Sequence, residues 1–99
     1  MPVFMTARFK VKPESREKCE QAIREFIEYI RANEPGTMRY SSLQQADDPL
    51  SFLHFFIFTD RAAREKHSNS EGVQRFTSVL YPELQAPVEF TEHTLVAST

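Results

Sequence analysis

Residues Ser51 to Thr59 read Ser-Phe-Leu-His-Phe-Phe-Ile-Phe-Thr. Successive residues of a strand point to opposite faces. Leu53, Phe55 and Ile57 then share one face, and Phe52, His54, Phe56 and Phe58 share the other. Both faces are apolar, so both must be covered. A chain of 99 residues can bury one core but not two, and its helices suffice for one face. A second copy of the chain is the simplest cover for the other, which predicts a homodimer formed through the open sheet face.

The flanking stretches supply the rest of the fold. Val3, Met5, Ala7, Phe9 and Val11 alternate with Phe4, Thr6, Arg8 and Lys10, giving a first strand with one fully apolar face. Lys12-Pro13-Glu14-Ser15 ends it, and proline near a helix start costs little because its missing N–H would be unpaired there. Cys19, Ala22, Ile23, Phe26, Ile27 and Ile30 then recur at helical spacing up to about Asn33, with charged residues on the opposite side. Glu34-Pro35-Gly36 stops this helix. Thr37 to Gln45 reads as an edge strand with Met38 and Tyr40 on one face, and Asp47-Asp48-Pro49 as the turn back.

After the central strand, Asp60 or Thr59 caps a short helix through His67. Ser68-Asn69-Ser70 interrupts it, and a further helical segment carries Val73, Phe76 and Leu80 on one side. Pro87 opens a last strand, Val88 to about Val96. The order predicts an α+β chain of ferredoxin-like βαββαβ type: one domain over residues 1–99, an antiparallel sheet with its helices on one face.

The formal net charge of -2 argues against nucleic acid or an anionic membrane surface, since both need a clustered basic excess. One cysteine, Cys19, allows no intrachain disulfide and fits a reducing, cytoplasmic setting. The N-terminus shows no basic segment leading into an apolar run. No apolar run approaches the roughly 20 residues of a spanning helix. With glycine only at positions 36 and 72, the nucleotide and flavin fingerprints are absent. His54, His67 and His93 have no short ligand spacing, so no metal is expected.

The run Glu34-Pro-Gly-Thr-Met-Arg-Tyr40, then Asp47-Asp-Pro, the aromatic strand, and Asp60-Arg-Ala-Ala-Arg-Glu-Lys-His67 resembles the antibiotic biosynthesis monooxygenase family. The resemblance covers nearly the whole chain and implies a dimeric α+β barrel in which two sheets face each other. It implies a range of activities: cofactor-free oxidation of quinols and polyketides, isomerisation of a sugar-derived signal, and haem degradation. Counting back from His67, the places where the family often has Glu and Trp hold Phe56 and Phe58. The place of an Asn in the haem-degrading branch holds Ala7, which speaks against haem. His67 and Tyr40 match the family pattern.

These matches define the candidate chemistry: oxidation of a small aromatic or quinol-like compound with no cofactor. Such a reaction needs a base to form an electron-rich anion and donors to hold it. His67 is the natural base because imidazole titrates near neutral pH. Tyr40 is the candidate donor, and Phe56, Phe58 and Phe76, with His54, are the candidate substrate wall. The plainer reading of His67 is a histidine that closes its helix on a carbonyl; of His54, a hydrogen-bonded residue at the dimer seam. Arg8 and Lys10 are expected to pair with Glu89 or another carboxylate across the dimer. The rival functions are a non-catalytic small-ligand-binding homodimer and, third, a haem-degrading protein. A ligand-sized pocket beside His67, between sheet and helices, would favour a ligand-handling protein over a filled core.

Overall fold

The computed structural model describes residues 1–99. Strand β1 is Val3–Lys10; after a single 3-10 turn, helix α1 is Arg16–Asn33; strands β2 and β3 are Thr37–Gln45 and Asp48–Phe58. Helices α2, Arg61–Ser68, and α3, Glu71–Leu80, follow, and strand β4 is Glu89–His93. The sheet order is β2-β3-β1-β4 and every neighbouring pair is antiparallel. This is the ferredoxin-like arrangement read from the sequence. No helix is long and apolar enough to cross a membrane.

The local chemistry explains the elements. Asp60 caps α2, its carboxylate accepting from the Ala63 N–H at 2.8 Å, and Ser70 caps α3 by accepting from the Val73 N–H at 3.1 Å. These caps satisfy N–H groups that have no partner inside the helix. Ser70 therefore restarts a helix rather than merely breaking one. Cys19, Ile23, Phe26 and Ile30 of α1 pack with Phe9, Phe52, Phe76 and Leu80 in the larger part of the core. Val3, Met5, Ala7, Phe56 and Phe58 form the smaller part.

Two boundaries and one side-chain face differ from the sequence reading. The β2–β3 turn is Ala46–Asp47, and Asp48 and Pro49 already belong to β3. Pro49 has no N–H to donate, and the register shifts between Gln44 and Gln45 absorb the mismatch. Met38 does not share the face of Tyr40: the ladder is irregular between Thr37 and Arg39, and Met38 is 60% exposed. Strand β4 stops at His93 because His93 already stands opposite Phe4, near the start of β1. Leu95 and Val96 run past the end of that partner and are exposed.

The two faces of β3 differ. Phe52, His54, Phe56 and Phe58 are buried beneath the helices. Leu53, Phe55 and Ile57 are only half-buried on the opposite face, alongside Phe4 and Thr6 of β1 and Leu43 of β2. No element of the chain packs on that face, which is what the two-sided apolar pattern anticipated. His54 belongs to the helix side, so it does not lie on the open face where a seam was expected. Lys10 finds its carboxylate within the chain, Asp48 at 3.1 Å, and Arg8 stands opposite Glu89 of β4 in the same sheet. Lys10 needs no second copy, while Arg8 forms no ion pair within the chain.

Candidate active site

A cavity of about 430 Å³ lies between the helix-side face of the sheet and helices α2 and α3. Tyr40, His54, Phe56, Phe58, His67 and Phe76 all line it, so the six residues singled out from the sequence converge on one place. Strand register explains part of this: Tyr40 stands opposite Phe56, and Ala7 opposite His54. The rings pack around Tyr40, with Phe56 stacked on it at 4.8 Å and His67 at 5.9 Å. Volume and lining have the character of a small-molecule site, apolar with a few convergent polar groups.

His67 does not close its helix on a carbonyl. Its Nδ1–H donates to the carboxylate of Glu34 at 2.7 Å, and both residues are buried. Glu34 is the residue after α1, and its N–H still bonds to the Ile30 carbonyl. The Thr37 hydroxyl donates to the same carboxylate oxygen at 2.7 Å. The turn is pressed onto α2: a Cβ on Gly36 would sit 2.6 Å from the Ala63 Cβ. Glycine at 36 lets α2 lie close enough for His67 to reach Glu34. With Nδ1 committed as donor to the carboxylate, the neutral form of His67 carries its lone pair on Nε2, which has no protein partner. Glu34 was visible in the sequence only as a helix stop and as the first residue of the family-like run, with no role of its own. Its signal there was weak, because a Glu beside Pro-Gly is ordinarily a solvated residue of the turn.

His54 and Tyr40 form the second pair. The Tyr40 hydroxyl and His54 Nδ1 are 2.7 Å apart. Burial, with the Glu34 charge adding to it, pushes the Tyr40 hydroxyl above its usual range, so it stays a phenol. The hydroxyl lies against His54 and has no other protein partner. His54 sits against the rings of Phe9 at 4.9 Å and Phe76 at 6.1 Å. Loss of hydration alone lowers it from 6.5 to about 4. Around it, Arg64 reaches the cavity wall from α2 and is held by Glu92 of β4 at 3.0 Å. His93 is elsewhere, on the open face, bonded to the Thr6 hydroxyl at 2.7 Å.

This burial sets a pH dependence. Between 6.5 and about 4 the unfolded chain takes up a proton at His54 that the folded chain refuses. The stability tied to it is whole above 6.5 and is lost as pH falls toward 4, to the extent of roughly 3 kcal/mol. Melting followed from neutral pH to about 4 should therefore fall more steeply for the wild type than for His54→Gln. The carboxylates held low by their partners, Asp48, Glu83 and Glu92, contribute equally to both proteins. Equal slopes would show that His54 is hydrated.

Comparison with known proteins gives the family and the fold. A family model described as antibiotic biosynthesis monooxygenase matches residues 2–78. An uncharacterized protein of Synechocystis, sll1783, is 31% identical over 88 residues, covering 89% of this chain. This chain spans 59% of the length of that relative. The Bacillus subtilis protein named "Putative monooxygenase YcnE" is 26% identical over 87 residues, covering 88% of this chain and 90% of its own. The solved structure of Rv0793 from Mycobacterium tuberculosis superposes with a TM-score of 0.89 at 23% identity, covering 99% of this chain and 98% of that one.

Proposed function

Because this chain belongs to the antibiotic biosynthesis monooxygenase family, we propose that it oxidises a small aromatic or quinol-like compound with O₂ and without a cofactor. The observation that carries the reading is His67: a histidine in the wall of a ligand-sized apolar cavity, backed by a buried carboxylate, with its second nitrogen free of protein partners. A nucleophile–base–orienter arrangement has the same logic, the third group fixing which nitrogen is basic.

For an anthrone-like substrate the step balances as follows. Nε2 of His67 takes a proton from the ring methylene, leaving a carbanion delocalised onto the ring oxygen. The anion reduces O₂ and forms a C–O bond, giving a peroxide. Loss of water from the peroxide leaves a ketone. One oxygen atom enters the product, the other leaves as water, and the substrate supplies all four electrons. The Phe56 and Phe76 rings hold the planar substrate.

The protein acts as a homodimer in this reading. The half-buried row of Phe4, Phe55 and Ile57, with Leu53 and Leu43 beside it, has no cover within the chain, and facing a second copy across a two-fold axis covers it twice over. The lone cysteine, buried in α1, suits a reducing cytoplasm.

A binding protein without turnover is the second reading. What favours it is the apolar wall at Phe56 and Phe58, which offers no further acid or base. Oxygen uptake by metal-stripped protein over a panel of quinols and anthrones separates the two. The expected result is one O₂ consumed per substrate, with a single atom of labelled oxygen in the product. Tight binding of a panel member without uptake would make the protein a binding module. Uptake only on adding haem or a metal would overturn both readings.

A further inference from the structure

We propose that His54 Nε2–H is a neutral hydrogen-bond donor for a ligand oxygen in the cavity, and that Tyr40 is the positioning residue that fixes its tautomer. The inference deepens the proposed function and rests on that reading of the cavity as a ligand site. It assigns the ligand a chemical feature: a carbonyl or enolate oxygen on an aromatic or fused-ring body.

The argument is a hydrogen-bond count. His54 is 1% exposed, lines the cavity, and its Nε2 is buried with no protein partner. The bond between Tyr40 and His54 Nδ1 can form in two ways. If Nδ1–H donates to the tyrosine oxygen, the Tyr40 hydroxyl proton has no acceptor and the Nε2 lone pair has no donor. If the Tyr40 hydroxyl donates to Nδ1, only Nε2–H is left over. Each buried polar group left unpaired costs about 1–3 kcal/mol, so the second arrangement prevails. Tyr40 remains a phenol because of its burial, so its proton is always there to give.

The remaining N–H meets no acceptor in the protein, and buried donors without acceptors are rare enough to need an explanation. An oxygen atom of the ligand supplies one. Because His54 stays neutral down to about 4, it donates without carrying charge. No carboxylate bonds to it; Tyr40, Phe9 and Phe76 are the ring neighbours around it. A neutral donor beside an apolar wall discriminates a carbonyl from a methylene and strengthens its bond as negative charge builds on the oxygen. His67 and His54 thus divide the work: one nitrogen accepts the proton, the other receives the oxygen that becomes anionic.

The test uses 1-indanone and indane, two probes of nearly the same shape that differ by a carbonyl, with imidazole nitrogen NMR on the wild-type protein. The expected results are an Nε2–H tautomer at His54 in the free protein and a downfield movement of that proton with 1-indanone but not indane. The wild type should prefer 1-indanone by about tenfold, the worth of one hydrogen bond. His54→Phe should lose the preference, whatever its affinity for indane. Tyr40→Phe should mix the tautomers and weaken the preference. An Nδ1–H tautomer in the free protein overturns the proposal whether or not any variant folds. So does a preference that survives in His54→Phe, or a failure of the wild type to bind 1-indanone at millimolar concentration. Neither probe has to react. A carbonyl preference without any oxygen uptake leaves this inference standing and removes the oxygenase; uptake with an Nδ1–H tautomer does the reverse.

Discussion

Phe55→Asp is expected to turn the proposed homodimer into a monomer at low micromolar concentration. Phe55 lies in the middle of β3, opposite Thr6 on β1 and Ser41 on β2, and points away from the helices. In an isolated chain it is half-buried, so a carboxylate there would keep its water and do little harm. In a dimer that closes on this face, the two-fold axis brings two copies of the carboxylate into the dry seam. Each unpaired charge costs at least about 3 kcal/mol. Two of them raise the dissociation constant by roughly 10⁴-fold. Sedimentation velocity reads the result directly, and Phe55→Leu is the control that should keep the dimer mass. An unchanged mass for Phe55→Asp would show that the open face is not the interface.

The fold was legible because the determinants were periodic. Alternation in Val3–Val11 and in the aromatic strand, and helical spacing from Cys19 to Ile30, are long patterns with few competing readings. The ends of elements were less legible, since pairing partners decide them. Nothing in Val88–Val96 says that His93 already stands opposite Phe4, one residue from the start of β1. Nothing in Thr37–Tyr40 announces the irregularity that turns Met38 outward. The site was half legible in the same sense. Its histidines and aromatic rings could be picked out because strand parity put Phe56, Phe58 and His54 on one face. The acidic partner could not, because Glu34 and His67 are 33 residues apart and meet only once α2 docks on the turn at Gly36. The engagement of the Tyr40 hydroxyl by His54 depends equally on register, Tyr40 lying opposite Phe56, the residue two before it in the partner strand being His54.

His67→Ala is expected to lower turnover by about 10²–10⁴-fold, the usual loss for a positioned general base, while the dimer and the affinity for substrate stay near wild type. The accompanying variants at Glu34 determine whether the base works as half of a pair. Glu34→Ala removes the acceptor for both the His67 Nδ1–H and the Thr37 hydroxyl. That should cost about 2–3 kcal/mol of stability, as for hydrogen bonds to a charged group, and should free His67 to adopt either tautomer. Turnover then falls because part of the population presents an N–H, not a lone pair, to the substrate. Glu34→Gln still offers an oxygen to Nδ1–H, so it should hold the Nε2 lone pair in place and recover much of the lost stability. Its turnover should lie between those of Glu34→Ala and the wild type. The readouts are the melting temperature, the split between kcat and KM, and the tautomer of His67 by imidazole nitrogen NMR. A purely structural Glu34 would lower stability in Glu34→Ala without changing the tautomer or kcat of the folded fraction. Wild-type kcat in His67→Ala would take His67 out of the mechanism and leave Glu34 with a role in packing alone.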